Sequence, residues 1–207
     1  DGAAGTSVPL PLADGDVVYA GSGLARYDGR SGAVVWELGG DLADSPAYAP
    51  LSADEDTVYA ELTGFDATSP ILERTDVVAA DLRTGAVRWK HQLASGAFGI
   101  GTATGAGVVV AVDGQSLVTG LDARTGEVRW TYRMASAAEG TPVVSGDVVH
   151  LAESGRAEDL LQRNFRIVTL DLATGRFLAS YEPPSANDIA IATVGAGPDG
   201  ELLVPTT

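Results

Sequence analysis

The stretch Asp81-Leu-Arg-Thr-Gly-Ala-Val-Arg-Trp89 decides the architecture, because it recurs. Asp28-Gly-Arg-Ser-Gly-Ala-Val-Val-Trp36, Asp122-Ala-Arg-Thr-Gly-Glu-Val-Arg-Trp130 and Asp171-Leu-Ala-Thr-Gly-Arg-Phe-Leu-Ala179 repeat it, the fourth copy carrying Ala179 where the others carry tryptophan. The aspartates stand 53, 41 and 49 residues apart. A period of this size with almost no helical patterning points to propeller blades rather than a helical solenoid. Each copy reads as a hairpin turn. The Asp carboxylate can accept from the backbone two residues on, and Gly32, Gly85, Gly126 and Gly175 can take the left-handed conformation a tight turn needs.

The segment after each turn alternates as a strand with one wet face does. Val87, Trp89, His91 and Leu93 are expected on the buried side, opposite Arg88, Lys90 and Gln92. Val128, Trp130, Tyr132 and Met134 are expected to match them, opposite Glu127, Arg129, Thr131 and Arg133. Val108-Val-Val-Ala-Val112 is apolar on both faces, as an inner strand between neighbouring sheets would be. The chain therefore predicts an all-β propeller of four-stranded antiparallel blades, with strands A to D counted from the inside outward. Blades are expected over about 6–38, 44–93, 97–134 and 140–182, with a two-stranded partial fifth over 188–205. The whole of 1–207 reads as one such segment.

In an up-and-down meander the A–B and C–D turns share one end of the sheets, and the B–C and D–A loops share the other. Against the 41-residue spacing, blades two and four carry excesses of 12 and 8 residues. These predict inserted B–C loops near Gly64–Arg74 and Ser154–Asn164, the second containing a short helix over 156–163. Long loops on a rigid scaffold are where binding residues gather. The B–C/D–A end is therefore the expected ligand face, with Asp44, Asp66, Glu73, Arg74, Glu139, Arg156, Glu158, Asp159 and Asp188 as its candidate contacts. Leu160 and Leu161 would seat the helix or anchor a partner.

Acidic residues outnumber basic ones 28 to 13, a formal charge of −15, and the pI is near 4.3. Such a chain lacks the clustered cations that a phosphate backbone or an anionic membrane surface selects, so nucleic acid is not an expected partner. No apolar run approaches the ~20 residues of a membrane span, and residues 1–20 show no basic region followed by an apolar core. With no cysteine, there is no disulfide, thiolate nucleophile or Cys-ligated metal.

The repeats resemble the pyrroloquinoline-quinone-like (PQQ-like) repeat family of β-propellers. Ala80-Asp81-Leu-Arg-Thr-Gly-Ala-Val-Arg-Trp89 matches its turn motif, Thr141-Pro-Val-Val144 its lead into an innermost strand, and Ser45-Pro-Ala47 does so more loosely. The resemblance implies a bacterial protein of a family that is typically eight-bladed. It includes quinoprotein dehydrogenases, an outer-membrane assembly lipoprotein and extracytoplasmic sensor domains of receptor Ser/Thr kinases. The arginine bias, with Lys90 the only lysine, suggests a high-GC organism such as an actinomycete. About four and a half blades do not close an eight-bladed ring, so a segment of a longer propeller, or a chain that pairs with a second copy, is expected. The dehydrogenases hold quinone and calcium on the axis with an Asn ligand and often a vicinal disulfide. This chain has no cysteine, and its only asparagines are Asn164 and Asn187. No cofactor is therefore carried over.

Other motifs have plain readings. Trp36, Trp89 and Trp130 are expected to dock neighbouring blades rather than stack on a cofactor, with Tyr181 filling the space left by Ala179. Gly195-Ala-Gly-Pro-Asp-Gly200 has dinucleotide-fingerprint spacing but precedes a strand, so a hairpin turn is expected, and likewise at Gly99–Gly105. Asp14-Gly-Asp16 and Asp54-Glu-Asp56 fall short of a calcium loop and read as A–B turns. His91 and His150 lie far apart on strands. No catalytic motif stands out, so the expected function is a non-catalytic propeller module, the sensor or scaffold part of an envelope or signalling protein. It would bind a protein, peptide or small ligand. A piece of a PQQ-dependent quinoprotein dehydrogenase, the extracytoplasmic sensor domain of a receptor Ser/Thr kinase and a purely structural segment are the alternatives.

Overall fold

The computed structural model describes residues 9–20, 23–38, 47–48, 52–66, 69–93, 99–154, 165–182, 195–196 and 202–203. Every regular element among them is a strand, and the strands of each sheet pair antiparallel, joined mostly by short turns that leave no room for a crossover. Among the described residues no helix is long and apolar enough to cross a membrane.

Blade one is β1 (Leu10–Pro11), β2 (Val17–Ala20), β3 (Leu24–Tyr27) and β4 (Val34–Leu38) in that order. Blade two follows with β5 (Ala47–Tyr48), β6 (Ser52–Ala53), β7 (Thr57–Asp66), β8 (Ser69–Asp81) and β9 (Val87–Gln92). Its inner strand comes in two pieces, β5 and β6, both paired to β7, so this sheet has five strands rather than the four expected. Blade three is β10 (Gly99–Gly105), β11 (Val108–Asp113), β12 (Leu117–Asp122) and β13 (Val128–Arg133). Blade four is β14 (Ala138–Ser145), β15 (Val148–Ser154), β16 (Phe165–Asp171) and β17 (Phe177–Tyr181). A two-stranded pair, β18 (Gly195–Ala196) and β19 (Leu202–Leu203), comes last. These meanders are the blades of a β-propeller, and they fall into two compact units, 1–102 and 103–207.

Apolar strands make the cores. All six residues of β11 are buried, as its double-sided apolar run requires. In the first unit Val18, Ala20, Leu24 and Trp36 of blade one pack with Val58, Ala60, Ala80 and Leu82 of blade two.

The four repeat turns are superimposable in their bonding. Asp28, Asp81, Asp122 and Asp171 each accept, through Oδ1, the backbone N–H of Ser31, Thr84, Thr125 or Thr174, at 2.7–2.9 Å. The carbonyl of each aspartate accepts the N–H of the turn glycine at 2.8 Å, and φ at Gly32, Gly85, Gly126 and Gly175 lies between +68° and +73°. Glycine holds this conformation without the Cβ penalty other residues meet there.

Four expectations change. After each turn a β-bulge shifts the outer strand: Trp89 faces Ala79 but Val87 faces Ala80, leaving Arg88 unopposed, and blades one, three and four do the same. The extra residue breaks strict alternation. Val34, Val87, Val128 and Phe177 are therefore exposed, while Trp36, Trp89 and Trp130 are buried. Gly99–Gly105 is not a turn but the inner strand β10. Its glycine serves close approach, since a Cβ at Gly105 would stand 2.6 Å from Val144. Tyr181 fills nothing: it is 56% exposed, and every residue of β17 is exposed. Finally, Gly64–Arg74 is not an inserted loop but mostly ladder, described next.

Candidate functional site

The expected ligand face is the B–C/D–A end. Asp44, Arg156, Glu158, Asp159 and Asp188 lie outside the described residues, as do Leu160, Leu161 and the expected helix. Asp66, Glu73 and Arg74 are strand residues. The β7–β8 ladder runs from Thr57↔Asp81 through Gly64↔Arg74 and Phe65↔Glu73 to Asp66↔Ser69. In blade three the corresponding ladder ends at Val112↔Val118. The extra length of blade two is thus spent on extending this ladder, whose last described pair is Asp66↔Ser69. Glu139 is half-buried near the start of β14, opposite Ala152.

Charges that the sequence reading missed are buried toward this same end. Glu61 and Glu153 are fully buried and Asp76 nearly so. Glu61 accepts the Gly101 N–H at 2.7 Å, tying β7 to the start of β10. Glu153 accepts the Ala135 N–H through Oε2 at 3.1 Å and is paired with the Arg166 guanidinium through Oε1. Asp76 pairs with Lys90 Nζ at 2.9 Å. A buried carboxylate must be compensated in this way. Each lies inside a strand where the apolar pattern gives no reason to expect a charge.

The opposite end carries a concavity. A cleft of about 550 Å³ in the first unit is lined by the A–B turns of blades one and two and the C–D turn of blade two. Leu12 and Leu82 give it apolar surface, and its charges are Asp14, Asp54, Glu55, Asp56, Asp81, Arg26, Arg83 and Arg88. Most of these charges neutralise one another. Arg26 bonds Asp16 at 2.8 Å and Asp14 at 2.5 Å. Arg88 grips Asp56 at 2.8–2.9 Å and Asp81 at 2.8 Å. Arg88 holds the Asp81 carboxyl well below the usual carboxylate range, aided by Thr84, and it lowers Asp56 also. Asp56 and Asp81 in turn raise Arg88. Tyr59 donates to Asp54 at 2.6 Å, and burial pushes its phenol far above its ordinary value. Carboxylates held ionised and a phenol held protonated do not exchange protons near neutrality, as an acid–base catalyst must.

Asp14, Asp16, Asp54 and Asp56 thus lie in A–B turns as expected and serve to brace arginines and turn amides. Among the described residues no three His, Asp or Glu side chains converge as metal ligands. The described buried carboxylates are already engaged by Lys90, Arg166 or backbone N–H groups. They do not supply the donor set that a quinone with calcium would need. His150 sits half-buried on β15 with Nδ1 3.0 Å from Thr169 Oγ1, and burial lowers its pKa.

Trp36 and Trp130 dock neighbouring blades, as expected. Trp36 Nε1 donates to the Leu82 carbonyl at 2.7 Å, and Trp130 Nε1 to the Leu172 carbonyl at 2.9 Å. Their rings cover the next turn's glycine: a Cβ at Gly85 would stand 2.8 Å from Trp36, and one at Gly175 2.5 Å from Trp130. Trp89 stacks tilted on Tyr59, with ring centroids 5.9 Å apart.

No curated protein matches the sequence. The family described as outer membrane protein assembly factor BamB matches over residues 2–99 and 73–194. Among solved structures, BamB from Moraxella catarrhalis is 19% identical with a TM-score of 0.60, over 84% of this chain and 47% of that one. The quinohemoprotein alcohol dehydrogenase of Comamonas testosteroni is 15% identical with a TM-score of 0.59, over 96% of this chain and 38% of that one. The quinohemoprotein alcohol dehydrogenase ADHIIG of Pseudomonas putida HK5 is 14% identical with a TM-score of 0.55, over 81% and 33%. This chain spans less than half the length of each. At such identity the likeness is one of fold, shared by an assembly factor and by oxidoreductases alike. With in-phase repeat turns, four-stranded blades and a family match along nearly its whole length, the chain belongs to the PQQ-like repeat family of β-propellers.

Proposed function

We propose that the chain is a non-catalytic binding module, the scaffold or sensor part of a larger bacterial envelope protein. It would engage a protein, peptide or small ligand at the B–C/D–A end. The observation that carries this reading is the β7–β8 hairpin, which continues to Asp66↔Ser69 where its counterpart in blade three stops. A projecting hairpin offers backbone N–H and C=O groups for strand addition and side chains for selectivity. The family's description as an assembly factor for outer membrane proteins supports a protein ligand. Protein partners and a cell-envelope location are proposed on the same ground. Asp66, Glu73, Arg74 and Glu139, with Asp44, Arg156, Glu158, Asp159 and Asp188, remain the proposed contacts.

The test is a peptide array of extended, alternating sequences probed with the chain. A variant in which residues 64–74 are replaced by a two-residue Asn-Gly turn serves as control. Binding that is lost in the shortened variant at unchanged melting temperature supports the reading. Equal binding by both proteins excludes the hairpin. The dehydrogenase alternative is tested separately, by adding the quinone with calcium. A bound chromophore and a raised melting temperature would favour it.

A further inference from the structure

The cleft between blades one and two of the first unit closes most of its charges on itself. Arg26 spends Nε on Asp16 and its two terminal nitrogens on the Leu82 carbonyl and Asp14. Arg88 spends both terminal nitrogens on Asp56, Asp81 and Thr57 Oγ1. Asp54 accepts from the Tyr59 hydroxyl and from the Asp56 and Thr57 N–H groups. Two lining charges are left over. Glu55, on the A–B turn of blade two, and Arg83, on its C–D turn, are both exposed, and neither side chain has a hydrogen-bond or ion-pair partner among the described residues. The turns that carry them are pinned together, since the Leu82 N–H donates to the Asp56 carbonyl at 2.8 Å. Glu55 and Arg83 are the chain neighbours of that bonded pair, and they carry opposite charges. Leu12 and Leu82 supply apolar lining to the same cleft.

We infer that this cleft takes a small aliphatic zwitterion of the amino-acid class, its carboxylate on Arg83, its ammonium on Glu55 and its apolar body against Leu12 and Leu82. A guanidinium donates two parallel N–H bonds to a carboxylate, and a carboxylate accepts from an ammonium. A ligand with a single charge meets one opposite and one like charge here, whereas a ligand with both meets two opposites. Asp14, Asp54 and Asp56 make the lining negative overall, so an anion alone is repelled. Arg83 is the group that admits a carboxylate. Arg26 and Arg88, already engaged, act as walls. At about 550 Å³ the cleft lies within the range of small-ligand sites. A free amino acid and the two termini of a short peptide carry the same chemistry, and the test separates them. The site is built by two consecutive blades at the A–B/C–D end, so it stands or falls apart from the hairpin reading above.

The test uses the whole chain, labelled with nitrogen-15. Leucine and the dipeptide leucyl-leucine are the zwitterionic probes, leucinamide the cation and N-acetylleucine the anion. At least one zwitterion should shift the amide signals of Glu55 and Arg83 saturably, with a Kd on the order of 1 mM for so small a ligand. The tighter of the two identifies the source. Leucinamide and N-acetylleucine should each bind about tenfold more weakly or worse. Arg83→Gln should bring the zwitterion down to the level of leucinamide and leave leucinamide no weaker. Glu55→Gln should bring it down to the level of N-acetylleucine. Both side chains are exposed and outside the bonded network, so neither variant should move the melting temperature. Equal shifts by all four probes, or none at Glu55 and Arg83 at about ten times that concentration, overturn the inference. So does leucinamide binding as tightly as the zwitterions, because Arg83 would then hold nothing.

Discussion

The Leu82 carbonyl receives two donors from blade one, Trp36 Nε1 at 2.7 Å and Arg26 Nη1 at 2.8 Å, whereas the Leu172 carbonyl receives Trp130 Nε1 at 2.9 Å. The two docking tryptophans are alike in position and differ in what their removal leaves behind. Trp36→Phe keeps most of the buried ring and leaves Leu82 bonded to Arg26, so it should cost about 1 kcal/mol. Trp130→Phe strips a buried acceptor of its donor and should cost about 1–3 kcal/mol. Either Trp→Ala should cost about 3–5 kcal/mol. Urea unfolding of the four variants gives the order; equal costs for the two phenylalanine variants would show that Arg26 does not compensate.

The turn glycines offer a second internal comparison. Gly32→Ala meets only the left-handed backbone penalty, about 1–2 kcal/mol. Gly85→Ala adds a Cβ placed 2.8 Å from the Trp36 ring. That overpacking should cost about 1–3 kcal/mol more. Melting temperatures should therefore fall in the order wild type, Gly32→Ala, Gly85→Ala.

Ion pairs should divide by burial. Asp56, whose side chain is 68% exposed, pairs with Arg88 on the surface. A double-mutant cycle between them should return almost no coupling, and what there is should fade with salt. Glu153, 1% exposed, holds both Arg166 and the Ala135 N–H. Glu153→Ala should cost about 2–4 kcal/mol and resist added salt.

Acid should act on the turns. Arg129 and the Thr125 turn hold Asp122 at about 2, and Ser31 and Thr174 lower Asp28 and Asp171, against an ordinary value of 3.8. A carboxyl depressed by folding contributes stability that is complete above its unfolded value and lost as pH falls through the folded one. The urea midpoint should therefore decline below about pH 4 and continue down to about pH 2. Asp122→Asn should shallow that limb. His150, lowered by burial, adds a milder decline as pH falls below its ordinary 6.5, because the unfolded chain takes up the proton first. His150→Gln should remove this upper part alone.

The blades were legible because their punctuation repeats: an Asp, a Ser or Thr, a Gly and a Trp at fixed offsets have one mechanical meaning wherever they recur. The bulge was not legible. It lies between Gly85 and Trp89 without any residue that demands it, and only the cross-strand register reveals that Arg88 faces no partner. Excess length at Gly64–Arg74 was counted correctly and assigned wrongly, since a loop and a longer hairpin contain the same number of residues. Of the expected ligand face, Glu139 and the hairpin positions are described. The charges most firmly held toward that end, Glu61, Asp76 and Glu153, carried no signal, because compensation by Lys90, Arg166 and backbone N–H groups depends on folded proximity.

The nine residues from Asp81 to Trp89 contain both halves of a joint, a turn that receives one indole and a tryptophan of their own. A genome that duplicates such a stretch together with its strands copies the mortise and the tenon at once. A propeller of this kind can gain or lose whole repeats without inventing a new contact, and divergence is left to act on the loops. Ala179 marks a copy that has given up its tenon while Asp171–Gly175 still keeps the mortise, so the two halves are free to drift separately.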